Sequence, residues 1–468
     1  MNNTTIEHAI DQLKNLFQED LVFQLAHQSR LIQRSSSKLN PMALLMVMVI
    51  DMSLIGTLSL VGMCDAFIIY GGIRMTAQGL SLRLGHESTV RFFKFAYSRV
   101  IQNKLSRVSF QLKQEGILAR FKNVYLEDST SCVLHEKVAD SFKGSGGSSS
   151  KAGYKIHTIW NATKNSVERL LITSSNTTDQ SQVFDIIPRL VDEDLVLRDL
   201  GYFSLAGFRQ IIEAKAFFLS RLKSGIKVYT LDGMLIEDLA RYVDERIFDN
   251  SATMELEVFL SAKEKLRVRL VACKVPQSVY DQRVRKLRRK TQKNKRTLSK
   301  ATLSFNRYTF FVTNIPEELL AATEMVTLYK LRWEIELLFK VFKSNLQVDI
   351  IKGQSKNRVD CFIISKLIAI MATAILFAHL STAVAILHGR ELSFAKFVTW
   401  IITHGYLAIL FRPEVLNYEV MQMKNMDILA LCKQKRSRRT SRELLEAGAT
   451  YTELYPQTSG LQPLTPLA

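Results

Sequence analysis

Hydrophobic and polar positions change rhythm three times along the chain. Residues 1 to about 115 place apolar side chains on a helical period without strand alternation, which predicts a small helical domain. Inside it, Gly85-His86-Glu87-Ser88 breaks the pattern ahead of an amphipathic stretch. That break reads either as an ordinary turn or as the turn of a helix-turn-helix. From Lys122 the pattern becomes short β-type runs: Asn123–Thr130, Tyr154–Ala162 and Val167–Thr173, with the Gly/Ser tract Lys143–Ser150 between the first two. A helix is predicted at about Asp179–Leu190, then an apolar strand, Leu195–Arg198, that runs into Asp199. Three strands, a helix and a further strand make a mixed sheet with a helix packed on it. Residues 204–316 are strand-rich again, in Phe217–Lys223, Lys227–Gly233, Arg267–Val275 and Arg307–Ile315, and after Pro316 the chain turns helical.

Composition narrows the class. The 468 residues correspond to about three domains, and 47% apolar residues with only 20 Gly and 8 Pro exclude a disordered or collagenous chain. Five scattered cysteines without a CxxC pair argue against a disulfide framework or a zinc site and fit buried thiols in a reducing compartment. The eight histidines show no HxxxH or HxH spacing. The first thirteen residues lack the basic and apolar regions of a signal peptide, so the expected location is the cytoplasm.

Met42–Tyr70 and Cys361–Leu387 are long enough and apolar enough to raise a membrane reading. Asp51, Asp65, Lys366 and His379 interrupt them, however, and ionisable groups in lipid are costly. The expectation is core helices, apolar on nearly all sides, and no membrane.

The formal charge of +19 is concentrated locally. Arg283–Lys300 holds ten Lys or Arg and no acid, and Lys433–Arg442 holds six more. Clustered cations of this kind are the electrostatic footprint of a polyanion partner, because each one that neutralises a phosphate releases a condensed counterion.

Candidate chemistry begins with two acids. Asp128 ends the run Val124–Glu127, and Asp199 ends Leu195–Arg198. Each alone reads as a turn former or as a cation ligand at a sheet edge, and their parallel placement brings the second reading level with the first. The third element is Tyr329–Lys343. On one continuous helix, at about 100° per residue, Tyr329, Arg332, Glu336 and Lys343 share an arc of roughly 60°. Leu331, Ile335, Leu338 and Phe342 face the other way, toward a core. The polar face thus offers a carboxylate for a metal, with two cations and a phenol for DNA phosphates.

The spacing Y-(2)-R-(3)-E-(6)-K, met by Tyr329, Arg332, Glu336 and Lys343, together with Asp128 and Asp199, resembles the DDE transposases of insertion-sequence family four over roughly residues 120 to 350. Asp199-Leu200-Gly201-Tyr202-Phe203 is similar to the family's segment around its second Asp. The resemblance implies a mixed α/β fold, with an RNase H-like catalytic core split by a β-rich insertion, a helical N-terminal domain and a helical C-terminal region. The implied boundaries are 1–115, a DNA-binding domain; 116–203 and 317–390, the two parts of the core; 204–316, the insertion; and 391–468, the C-terminal region with a tail that lacks structure.

It further implies Asp128, Asp199 and Glu336 as catalytic metal ligands, and Tyr329, Arg332 and Lys343 as contacts to the transposon end. Arg221 and Lys223 are implied as insertion-domain residues facing DNA. Where some members place a base-stacking Trp, this chain has Tyr308, which either stacks or packs in its strand. Trp333 reads more readily as core than as a stacking residue.

Two Mg²⁺ ions, replaceable by Mn²⁺, are expected to serve an in-line displacement at a phosphodiester. The partners implied are double-stranded DNA, as transposon ends and as target, and a second copy of the chain in a synaptic complex on the bacterial nucleoid. The expected activity is hydrolysis at the inverted repeats followed by joining of the 3′-OH to target DNA. The alternative is an inactive or repurposed transposase that only binds DNA.

Overall fold

The computed structural model describes residues 17–34, 39–51, 58–105, 116–146, 151–246, 253–293, 297–403 and 428–432. The second basic run, the C-terminal tail, part of the Gly/Ser tract, His8 and His404 lie outside the described residues. The described residues fall into two compact units, those within Met1–Leu112, Ser129–Thr177 and Ile335–Gln434, and those within Lys113–Asp128 and Thr178–Glu334.

The described elements of the first unit begin with helices α1 (Glu19–Gln28), α2 (Pro41–Met46), α3 (Leu60–Ile69), α4 (Ala77–Leu84) and α5 (Glu87–Leu105). α5 buries Val90, Phe92, Phe93, Ala96 and Val100, one face of its period, against the 33-residue helix Lys356–His388. The Gly85–Ser88 break does separate two helices. Its turn is tied down by Asn357, whose Nδ2 donates to the Gly85 carbonyl at 2.8 Å, and by Thr89, whose hydroxyl donates to the Arg83 carbonyl at 2.6 Å. Strands β2 (Ala152–Asn161) and β3 (Ser166–Ser174) pair antiparallel beside the second half of β1 (Val124–Leu134).

The second unit holds the first half of β1 and the strands β4 (Leu195–Arg198), β5 (Phe217–Arg221), β6 (Val228–Tyr229), β7 (Leu235–Ile236), β8 (Thr253–Leu260), β9 (Leu266–Lys274) and β10 (Tyr308–Thr313), ordered β1-β4-β5-β10-β9-β8-β6-β7. β4 pairs in parallel with β1 on one edge and β5 on the other, and all four of its residues are buried, so both faces are covered and Leu195–Leu197 need no polar alternation. Helix α6 (Leu205–Glu213) packs on β5. α7 (Leu239–Asp244), α8 (Gln277–Lys293), α9 (Lys300–Phe305) and α10 (Ala322–Lys330) follow. β8 and α8 are elements that the pattern of residues 204–316 did not announce.

The helix expected at about Asp179–Leu190 is absent. In its place are two short 3₁₀ turns, Asp179–Gln182 and Ile187–Arg189. Pro188 brings no N–H and would crowd the carbonyl four residues back, and the buried Arg198 guanidinium occupies the Val183 carbonyl that an α-helix would need.

The chain passes back into the first unit within α11 (Trp333–Ser344), after Glu334, and continues as α12 (Lys356–His388) and α13 (Phe394–Thr403). α12 is stopped by Gly389 in the left-handed region, at φ 57°. Within α12, Lys356–Thr382 is long and apolar enough to cross a bilayer, and 89% of its most apolar 18-residue window is buried inside the protein. All five cysteines are buried.

Candidate active site

Strands β1 and β4 bring the first two acids together. Their parallel register pairs Val124 with Leu195, Tyr125 with Val196, Leu126 with Leu197 and Glu127 with Arg198. Asp128 and Asp199 are therefore the next residues on each strand, one strand spacing of about 4.8 Å apart in the sheet. β4 ends there, whereas β1 runs on to Leu134, so Asp128 marks the end of the parallel pairing and not the end of its strand.

Each carboxylate has a guanidinium partner in the same unit. Arg332 Nη1 donates to Asp128 Oδ2 at 3.1 Å, with the side chains 14% and 19% exposed. Arg221, at the end of β5, donates from Nη2 to Asp199 Oδ1 at 3.2 Å, with 38% and 32% exposed. The Arg221 guanidinium carbon lies 5.8 Å from the centre of the Tyr329 ring, whose edge meets Phe311 at 5.2 Å. The Tyr329 hydroxyl donates to the Arg198 carbonyl at 3.2 Å. Burial pushes the Tyr329 phenol above its usual range, against the opposing pull of Arg221, so at neutral pH it remains a hydrogen-bond donor.

Tyr329, Arg332 and Glu336 do not share one helix. α10 ends at Lys330, and the turn that follows is pinched by bonds to the third residue back, Leu331 N to Leu328 O, Arg332 N to Tyr329 O and Glu334 N to Leu331 O. Two anchors override the helical period: the Tyr329 hydroxyl on the β4 backbone and the Arg332 guanidinium on Asp128. Glu336 and Lys343 stand on α11 in the first unit, where Lys343 Nζ donates to the Ser131 carbonyl at 3.0 Å. The α11 core face is as expected: Ile335, Leu338 and Phe342 are buried, together with Phe339 and Val341.

Lys223 is exposed just beyond β5. Tyr308 is packed in its strand. Its side chain is 2% exposed, it lies beside Phe310, and its hydroxyl donates to Asp244 Oδ1 at 2.5 Å. A ring so covered fits the packing alternative; β10 lies between β5 and β9, and five of its six residues are buried. Trp333 is not core either: it is 52% exposed.

A third pair was not anticipated. Glu127 and Arg198, the residues just before the two Asp, form an ion pair at 2.6 Å with side chains 2% and 0% exposed. The available signal was a charge closing each of two otherwise apolar runs.

Among the described residues no three His, Cys, Asp or Glu side chains gather closely enough to hold a metal ion. The pair that is assembled has the donor chemistry of a hard divalent cation, carboxylate oxygens on neighbouring strands, and a guanidinium holds each of them in its place.

Residues 119–372, over half of the chain, match the sequence profile of a family described as Transposase DDE domain. The transposase for insertion sequence element IS231F of Bacillus thuringiensis subsp. israelensis is 24% identical over 412 residues, 85% of this chain and 86% of that protein. The transposase for insertion sequence element IS1151 of Clostridium perfringens is also 24% identical, over 84% of this chain and 85% of that one. A solved structure titled as the cryo-EM structure of piggyBac transposase synaptic complex with hairpin DNA aligns with a TM-score of 0.45 and 10% identity, over 92% of this chain and 87% of that chain. That likeness is too distant to decide the fold. With the profile spanning Asp128, Asp199 and Glu336, the chain belongs to the transposases that carry a DDE domain.

Proposed function

We propose that this chain is the transposase of a bacterial insertion sequence, which binds terminal inverted repeats, cleaves the ends by metal-dependent hydrolysis and joins the freed 3′-OH to target DNA by transesterification. The observation that carries the reading is the register that sets Asp128 beside Asp199, in a chain of this family. The sheet around β1 and β4 serves as an RNase H-like core, and residues 204–316 as its β-rich insertion. Asp128 and Asp199 hold the metal, with Glu336 as third ligand by its place in the signature. Two Mg²⁺ ions bound there, or Mn²⁺ in their place, supply charge stabilisation for the arriving and leaving oxygens of an in-line displacement.

The chain's own residues do the rest. Arg332 and Arg221 neutralise the two Asp in the free protein, and both guanidinium groups suit bidentate contact with phosphate once DNA arrives. The neutral Tyr329 hydroxyl donates a hydrogen bond, and Lys343 and the exposed Lys223 add positive charge along the DNA path. Two copies of the chain pair two element ends, in the bacterial cytoplasm on the nucleoid.

The test is Mg²⁺- or Mn²⁺-dependent cleavage of a plasmid carrying the gene's own flanking DNA, with wild type beside Glu336→Gln. Release of 3′-OH ends at a defined flanking sequence by wild type, with binding but no cutting by Glu336→Gln, is the expected result. Binding without cleavage by both proteins under either metal points to a chain that only grips DNA.

A further inference from the structure

Each proposed catalytic Asp is preceded by a buried charged residue, Glu127 on β1 and Arg198 on β4, and these two, of opposite sign to each other, are register partners. Successive strand residues point to opposite faces, so this pair lies on the face of the sheet away from Asp128 and Asp199. Arg198 Nε donates to Glu127 Oε2 at 2.6 Å, and neither side chain reaches solvent beyond 2%. The far side of the guanidinium is clamped as well. Nη2 donates to the Val183 carbonyl, Cζ lies 5.9 Å from the Phe208 ring, and Gly207 lets α6 close over it, since a Cβ there would stand 2.8 Å from Nη1.

Two buried charges are an expensive way to join two strands, because well-packed apolar side chains hold strands together as well or better. What an ion pair adds is direction. A slip of one residue between β1 and β4 would break the pair and send one Asp to the opposite face. We propose that Glu127 and Arg198 are positioning residues, a buried clasp that fixes the β1–β4 register and thereby the separation of Asp128 and Asp199. The inference rests on the reading of those two acids as metal ligands.

The test uses the full chain, free of DNA, with both clasp residues made apolar, Glu127→Met with Arg198→Met. Three quantities are read on wild type and variant: thermal unfolding, amide hydrogen exchange across Val124–Asp128 and Leu195–Asp199, and Mn²⁺ affinity by calorimetry. The double variant is expected to melt within a few degrees of wild type. Its β1 and β4 amides should exchange at least tenfold faster, and its Mn²⁺ affinity should fall at least tenfold. Wild-type exchange in the folded double variant overturns the clasp. Faster exchange with wild-type Mn²⁺ affinity leaves a strand tie without a role in placing the carboxylates, and overturns the proposal too.

A wild-type protein that takes up no Mn²⁺ sinks the metal reading instead, and the exchange rates alone then decide the clasp. Should the double variant not fold, Arg198→Lys keeps the charge and loses the fork. About a threefold loss of Mn²⁺ affinity is expected there, and wild-type values in both readouts overturn the proposal.

Discussion

Arg332 competes with metal for Asp128, so removing it should tighten metal binding while weakening DNA binding. At 3.1 Å and an effective dielectric of about 20, the gross attraction between these two charges is about 5 kcal/mol. Desolvation cancels much of that, and a largely buried charge-assisted hydrogen bond retains roughly 1.5–3 kcal/mol. A cation entering the site has to replace that contact, so Arg332→Ala is expected to raise Mn²⁺ affinity of the DNA-free protein about tenfold, at about 1.4 kcal/mol per factor of ten. The same variant should bind element ends more weakly, because a guanidinium that would meet phosphate is gone. Arg221→Ala should shift Mn²⁺ affinity by no more than about fivefold, since its pair with Asp199 is a third exposed on both sides and such pairs contribute about 0–1 kcal/mol. Calorimetric Mn²⁺ titration of the three proteins reads the difference directly. Unchanged or weaker Mn²⁺ binding by Arg332→Ala refutes the competition.

Other consequences follow from the geometry. Arg285, Lys286, Arg288 and Arg289 are exposed on α8, which Val284 anchors on its buried side, so neutralising all four should flatten the dependence of log K on log salt by up to about 3.6 without changing sequence preference; an unchanged slope removes α8 from the DNA path. Tyr308→Phe should lower stability by about 1 kcal/mol in denaturant unfolding, through loss of the Asp244 bond, and leave end binding at its wild-type level. Burial holds the Lys366 ammonium down at about 8, from 10.5, against the opposing pull of Asp349. Between those values the unfolded chain carries the extra proton, so Lys366 makes stability rise with pH by about 3 kcal/mol across that window, and Lys366→Met should remove the rise in denaturant unfolding at pH 7.5, 9 and 10.

The sequence displayed what depends on local pattern and hid what depends on packing. The runs Val124–Glu127 and Leu195–Arg198 were legible as strands because both are buried on two faces, and the acids following them stood out against that background. Periodicity placed Ile335, Leu338 and Phe342 on a core face because α11 is an ordinary amphipathic helix. The same periodicity drew Tyr329 and Glu336 onto one helix, since nothing in Lys330-Leu331-Arg332 breaks a helix locally; the pinch comes from partners more than a hundred residues away. Pro188 was a local warning against the helix at Asp179–Leu190 that the apolar pattern outweighed. Along α8, which carries the start of the basic run, Tyr280, Val284 and Leu287 keep a helical spacing that the density of cations obscured. Cross-strand partners such as Glu127 and Arg198 are invisible to a one-dimensional pattern until register is known.

The most direct test of the central claim, that Asp128 and Asp199 hold the metal of DNA cleavage, exchanges one ligand atom. Asp128→Cys and Asp199→Cys each replace an oxygen donor with sulfur, which Mg²⁺ accepts poorly and Mn²⁺ tolerates better. End cleavage by each variant is measured in either metal beside wild type. Loss of cleavage in Mg²⁺ with recovery in Mn²⁺ is expected for both positions. Activity that falls equally in the two metals, or that does not fall at all, contradicts metal ligation by these carboxylates.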